Sequence, residues 1–511
     1  MADTKREIER KFEFTTTKAE KRGVPDLTGT AAVADVRDEG TADLDAVYYD
    51  TPGRRLAADG LTLRRRTGGT DAGWHLKLPV APGVRDEVTA PLADTVPRAL
   101  AGLLRSRVRD SALEPQVRLL SSRRVSHLLD ADGALLAELS TDRVTAERGD
   151  TTVHWTEVEV ELADDTDPAL LDAVEKKFRK AGLKVSDAPS KLARALAETG
   201  AAPHPRPGPA ETAGLAPGTA GRLLLDHLAA QAAELVTLDP AVRRGLPDSV
   251  HRMRVATRRL RSAFKTYGKL LDRTVTDPVA EELRHLAGEL AVDRDREVLL
   301  DHLGARLDEL PRALRSGPVR RRLRTWNASR QSGARRRALA ALDSPRHLAL
   351  LDSLDALLAD PPLLPAASRP APEPLRRAVL RDHARLAARV EHALALDPGE
   401  ERDLALHEAR KAAKRARYAA ETAVPALGRP AKRLAKALKA VQGVLGEHQD
   451  SVVARAALRD LAVAAHAAGE SSFTWGVLHG REEARAERCE RELPERWAAA
   501  ADPDLRAALD R

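Results

Sequence analysis

Between Gly200 and Gly221 the chain carries Pro203, Pro205, Pro207, Pro209 and Pro217 among glycines and alanines, a run that can continue neither a helix nor a sheet. Hydropathy changes its period across that run: before it, short segments alternate apolar and polar residues; after it, apolar residues recur at helical spacing. A chain of 511 residues can bury a separate core on each side. The expected organisation is a β-rich domain over 1–200, a linker over 201–220 and an all-α domain over 221–505. A second break, Pro361 to Pro374, divides the latter into halves of about 221–360 and 375–505.

In the first domain the alternating segments are Glu7 to Phe14, Ala46 to Tyr49, Leu61 to Arg66, Trp74 to Leu78, Val117 to His127, Leu135 to Asp142 and Val153 to Leu162, which predict an antiparallel sheet or barrel. Pro168 to Ala181 and Ser190 to Glu198 read as helices closing it, with Asp167 and Ser190 as N-caps. On a strand, Glu7, Glu9 and Lys11 share one face while Ile8, Arg10 and Phe12 take the other. Glu157, Glu159 and Glu161 repeat the pattern against Val158, Val160 and Leu162. Carboxylates so crowded repel unless positive charge separates them, and a divalent cation would do so. The single cysteine, Cys489, leaves oxygen or imidazole as ligands, and oxygen suits magnesium, manganese or calcium. Arg64, Arg66, Lys77, Arg85, Arg123 or Arg124, and Lys191 add cations that a closed barrel can turn inward to grip phosphate oxygens.

At these residues the chain resembles the CYTH family of triphosphate tunnel metalloenzymes. The motifs are Glu7-Ile8-Glu9-Arg10-Lys11, Leu63-Arg64-Arg65-Arg66, Leu76-Lys77, Glu157-Val158-Glu159-Val160-Glu161 and Ser190-Lys191, spread over nearly all of residues 1–200. The resemblance implies an eight-stranded antiparallel tunnel that hydrolyses a triphosphate or cyclises ATP. It implies a catalytic signature of Glu7, Glu9 and Lys11, Mg2+ or Mn2+ held by Glu7, Glu9, Glu157 and Glu159 with Asp142 and Glu161 adding to the set, and triphosphate on Lys11, Arg64, Arg66, Lys77, Arg123 and Lys191. Cyclisation ranks below hydrolysis because the sequence shows no aromatic cluster for adenine.

Beyond the linker a motif recurs. His251, Arg254, Arg258 and Arg261 are matched by His407, Arg410, Lys414 and Arg417 at the same steps, and a Leu-to-Asp segment follows each set, Leu290 to Asp295 and Leu445 to Asp450. This predicts two related helical units with pseudo-twofold symmetry. On a helix, His251, Arg254, Arg258, Arg261 and Lys265 form one stripe, and from His251 to Lys269 there are seven Lys or Arg and no acid. In the second unit Ala409, Ala412, Ala413, Ala416 and Ala420 form a packing face, with His407, Arg410, Lys411, Lys414, Arg417 and Tyr418 pointing away. Like charges so placed destabilise a helix unless an anionic partner bridges them. Aromatic residues make up only 3% of the chain, which favours a phosphate polymer without bases over single-stranded nucleic acid and leaves duplex nucleic acid as the alternative, since basic stripes bind phosphates without sequence preference.

These motifs resemble the CHAD domain, a histidine-containing helical domain associated with inorganic polyphosphate and often joined to CYTH. The resemblance implies two helical bundles around a basic channel. Arg294-Asp295 fits its accessory motif, whereas Glu447-His448-Gln449-Asp450 lacks the arginine.

The resulting expectation is a multidomain α+β protein that hydrolyses inorganic triphosphate or short polyphosphate in front and binds inorganic polyphosphate behind. The alternative is a non-catalytic polyphosphate-binding or granule-associated scaffold. The charged start and the interrupted apolar runs predict a cytoplasmic protein with no membrane partner, and no specific nucleic-acid partner is expected.

Overall fold

A computed structural model describes residues 3–201, 211, 213–331 and 333–510, with the side chains of 3, 292–297, 327–331, 334 and 510 outside the description. The linker reading therefore lies partly outside the described residues, at 202–210 and 212, and the side chains of Arg294 and Asp295 lie outside them as well. The chain divides into two compact units, 1–206 and 207–511.

The first unit is built on β1 (Asp3–Phe14), β2 (Asp35–Asp50), β3 (Thr62–Thr67), β4 (Gly73–Ala81), β5 (Val84–Ala90), β6 (Glu114–Leu129), β7 (Leu135–Arg148), β8 (Thr151–Leu162) and the short β9 (Leu183–Val185). Strand order runs β5-β4-β3-β2-β6-β7-β8-β1, and β1 also pairs antiparallel with β5 from Asp3–Thr89 to Ile8–Val84, so eight strands close into a barrel. β9 adds to the end of β1 at Phe12–Val185. Helices α1 (Thr17–Arg22), α2 (Arg55–Ala58), α3 (Arg98–Val108), α4 (Ala169–Ala181) and α5 (Lys191–Glu198) complete the unit.

The barrel wall sorts its side chains by the period of two. Phe12, Val158, Val160 and Leu162 face outward and pack with Leu170, Leu171, Val174 and Phe178 of α4. Leu63, Trp74, Leu76 and Val88 do the same with Leu100, Leu103 and Leu104 of α3. The interior is charged along most of its length and turns apolar at one end. There Val144, Ala146 and Trp155, in phase with the inward Asp142 and Glu157, pack with Leu192, Ala195 and Leu196 of α5, which plugs that end.

The second unit is helical: α6 (Ala220–Arg244), α7 (Ser249–Thr266), α8 (Arg273–Glu289), α9 (Ala291–Asp308), α10 (Val319–Gln331), α11 (Ala334–Asp343), α12 (Pro345–Ala359), α13 (Pro372–Ala395), α14 (Glu400–Ala467), α15 (Phe473–Ala500) and α16 (Pro503–Ala507). α14 breaks at Gly428, whose φ of 59° lies in the left-handed region, between Pro425 and Pro430. Its first segment buries Ala409, Ala413, Ala416 and Ala420 fully, in one large core with Met253, Leu260 and Phe264 of α7. A smaller core joins Leu303, Leu307 and Leu323 of α9 and α10 to Leu458, Leu461 and Trp475 of α14 and α15. Each core draws on both sides of the break at 361–374. Among the described residues no helix is long and apolar enough to cross a membrane.

Candidate active site and basic groove

Antiparallel register sets the chemistry of the barrel interior. Glu9 stands opposite Glu161, Glu138 opposite Glu161 and Asp142 opposite Glu157, three acid-on-acid pairs that would repel across the sheet. Cations lie between them. Lys11 Nζ is 3.1 Å from Glu9 and also contacts Glu159. Lys77 Nζ is 2.7 Å from Glu7, and Lys5 is 2.6 Å from Glu161. Arg123 grips Asp142 through two bonds of 2.8 Å and reaches Glu159 at 3.1 Å. From the N-terminus of α5, Lys191 Nζ enters a carboxylate triad at 3.0 Å from Asp142, 2.8 Å from Glu157 and 2.7 Å from Glu159.

These groups line a cavity of about 310 Å³ that includes Glu7, Glu9, Lys11, Arg64, Arg66, Lys77, Arg85, Arg123, Glu159, Glu161 and Lys191. Asp142 and Glu157 lie behind this cavity, joined to it through Lys191. The ambiguity between neighbouring arginines resolves: Arg123 points in, while Arg124 pairs with Asp38 on the exposed face. Arg85 lies at the rim and donates to the carbonyl of Pro189. Arg66 is buried and pairs with Asp71, and burial together with Arg64 and Arg123 pulls it down to about 9. Burial pushes the Glu7 carboxyl up to about 7 against the pull of Lys77, with Glu87 and Glu161 adding repulsion. Glu159 is the opposite case: burial works against its charge, yet Lys11, Lys191 and Arg123 hold it well below the usual carboxylate range.

Three interior residues escaped the sequence assignment. Glu87 accepts from His75 at 3.0 Å, and Tyr48 meets Arg64 at 3.4 Å. Arg85, Glu87 and Thr89 alternate with Val84, Asp86 and Val88, so the signal for β5 was present in a strand only seven residues long.

The carboxylates fit a divalent cation. Asp142, Glu157 and Glu159 offer oxygen atoms within 4.8 Å of one another, an all-oxygen set suited to a hard ion. Buried Glu7 Oε2 and Glu157 Oε1 accept no hydrogen bond among the described residues and meet the ammonium groups of Lys77 and Lys191.

In the helical unit the two basic stripes converge where α7 packs on α14. Arg258 Nε donates to the Tyr418 hydroxyl at 3.2 Å, and Arg259 reaches Glu421 at 3.0 Å. Lys414 is flanked by Arg410 and by Arg258 and Arg254 of the other stripe; burial first, then these charges, pull its ammonium down to about 7, with Asp450 opposing. His407 Nδ1 lies 2.6 Å from Gln449 Oε1, so Gln449 of the arginine-less motif orients the imidazole. His251 and Lys265 are exposed on α7, and half-buried Arg261 faces Glu281 of α8 as well as Arg258.

One placement differs from the helical-wheel reading. Tyr418 is 5% exposed and packed inward, because α7 covers the side of α14 on which it lies, and its ring carries Arg259 and Arg417 on cation–π contacts. Lys411 turns to solvent and pairs with Glu408 one turn earlier. Arg417 is stacked on Tyr418 and lies 3.4 Å from Glu421, so an acid already accompanies it.

A closed tunnel of mixed charge followed by a helical unit with paired basic stripes defines a protein of the CYTH–CHAD class, and the chain belongs to that family. A CYTH domain model matches residues 5–196 and a CHAD domain model residues 226–459. Two Mycobacterium tuberculosis proteins, from strains CDC 1551 / Oshkosh and ATCC 25618 / H37Rv, are each 39% identical over 508 residues, 95% of this chain and 94% of theirs. Among solved structures, PptA from Streptomyces chartreusis is 26% identical with a TM-score of 0.47, covering 55% of this chain and 99% of its own. The CHAD domain from the plant Ricinus communis is 25% identical with a TM-score of 0.41, covering 56% and 94%. CYTH tunnels are metal-dependent and concerned with triphosphates, and CHAD domains are associated with polyphosphate.

Proposed function

We propose that the tunnel is a metal-dependent phosphoanhydride hydrolase for inorganic triphosphate or short polyphosphate, and that the helical unit binds inorganic polyphosphate. The observation that carries the reading is the crowding of both signs of charge inside one barrel: carboxylates for a metal beside arginines and lysines for phosphate oxygens. Glu7, Glu9, Glu157 and Glu159, with Asp142 behind them and Glu161 toward Lys5, would hold Mg2+ or Mn2+, which when bound polarises the phosphoanhydride and neutralises its oxygens. Lys11, Arg64, Arg66, Lys77, Arg85, Arg123 and Lys191 orient the chain of phosphates, Arg85 by giving up the Pro189 carbonyl and the others a carboxylate partner for a phosphate oxygen.

One observation favours the second reading, a catalytically silent tunnel in a polyphosphate-binding scaffold. Lys191 already supplies positive charge to the triad of Asp142, Glu157 and Glu159. Phosphate release from inorganic triphosphate with Mg2+ or Mn2+ decides between them: hydrolysis by the wild type that falls at least ~100-fold in Glu9→Ala supports the enzyme. Equal background release from both proteins supports the scaffold.

A further inference from the structure

We propose that Asp403, His448 and Glu490 form a second metal site, in the helical unit, for one divalent transition ion of the zinc class. The three residues come from different segments: Asp403 from the first turn of α14, His448 from α14 beyond its break, and Glu490 from α15. One ligand atom of each lies within 4.8 Å of the others. His448 Nε2 is 3.3 Å from Asp403 Oδ1 and 3.3 Å from Glu490 Oε1.

That spacing suits a shared ion better than direct hydrogen bonds. Charge-assisted N–H to carboxylate bonds settle at about 2.7–2.9 Å. Donors each about 2.0–2.1 Å from one tetrahedral ion stand about 3.3–3.4 Å apart. The outer oxygens are already fixed: Arg455 lies 2.8 Å from Asp403 Oδ2, and Arg402 lies 3.2 Å from Glu490 Oε2. Such partners orient ligating carboxylates, leaving Oδ1 and Oε1 turned toward the imidazole. The same arginines neutralise the acids and so weaken a purely ionic attraction. Selectivity then falls to the imidazole, which favours borderline ions over magnesium. His448 is 2% exposed, while the side chains of Asp403 and Glu490 are 21% and 15% exposed, so an ion has a way in and water is largely kept off the nitrogen.

The site is separate from the tunnel and next to the basic groove, since Gln449 holds His407, one turn along α14 from Asp403. The competing arrangement is a protonated His448 bonded to both acids with no ion.

Titration of the full chain with Co2+, with millimolar Mg2+ present to occupy the oxygen-lined tunnel, separates the two. The expected result is one equivalent of Co2+ with the strong visible absorption of a tetrahedral, imidazole-ligated ion. It should be lost in His448→Gln, weakened at least tenfold in Glu490→Gln, and unchanged in Glu9→Ala. Zn2+ should raise the melting midpoint of the wild type and not that of Glu490→Gln, which tests the site even if His448→Gln fails to fold. Co2+ absorption that persists in Glu490→Gln, or a melting midpoint indifferent to Zn2+ in the wild type, would overturn the proposal.

Discussion

Lys414 shows how one residue can report on its whole groove. Burial and the neighbouring Arg410, Arg258 and Arg254 bring its ammonium down from 10.5 to about 7, although Asp450 pulls the other way. The folded chain therefore releases this proton at lower pH than the unfolded chain, so Lys414 contributes stability above 10.5 that is lost as pH falls through about 7. A bound phosphate chain reverses the balance by adding negative charge beside the ammonium. Binding above pH 7 should then take up a proton, and polyphosphate affinity should fall as pH rises from about 7 to 9, by up to about tenfold per unit. Calorimetry in buffers of different ionisation enthalpy reads the proton directly. Lys414→Arg, permanently charged, should bind at pH 9 at least as well as at pH 7 once other groups are accounted for; a slope identical to the wild type would exclude Lys414 as its source.

At the scale of the element, α5 is the piece whose role the sequence concealed. Ser190 as its cap and the helix itself were legible, and Ser190 Oγ does accept from the Ala193 amide at 3.0 Å. Its function as a plug depends on the barrel closing through β1 and β5, a long-range pairing that no local period encodes. The inward face of β8 could be read as charged at Glu157 and Glu159, but not that Trp155 on the same face packs under α5 and donates to Glu157 at 2.8 Å. The misplacement of Tyr418 has the same origin, since a wheel drawn on α14 alone cannot show that α7 lies across it. Because α5 delivers Lys191 to the triad, ammonium and metal compete for the same oxygens. Lys191→Gln should lower the melting midpoint without metal, by leaving buried carboxylates uncompensated, and Mn2+ should restore it. Mn2+ should also bind at least about tenfold more tightly than to the wild type when no triphosphate is present. A variant whose melting is unmoved by Mn2+ would show that the triad does not take the ion.

Over the whole molecule, net charge is a poor guide: 84 basic against 77 acidic residues give only +7. What distinguishes the two units is the way that charge is neutralised. In the tunnel Lys11, Lys77, Arg123 and Lys191 each have a carboxylate within reach, so on the proposed reading a phosphate guest and a metal would enter together, one for each sign. In the groove Arg254, Arg258 and Arg410 gather round Lys414 across two helices, and at that ammonium their charge, with burial, outweighs the opposing pull of Asp450. The two should therefore respond differently to the same perturbation. Polyphosphate binding should weaken steeply with salt, as for any polyanion held by several cations, and Arg254→Glu combined with Lys414→Glu should reduce it at least about 100-fold. Triphosphate hydrolysis by that variant should stay within about twofold of the wild type, since its ion pairs lie within the residue 1–206 unit. Hydrolysis lost in parallel with binding would mean that the basic groove feeds the tunnel even with the shortest substrate, and that the two units do not act as separate sites.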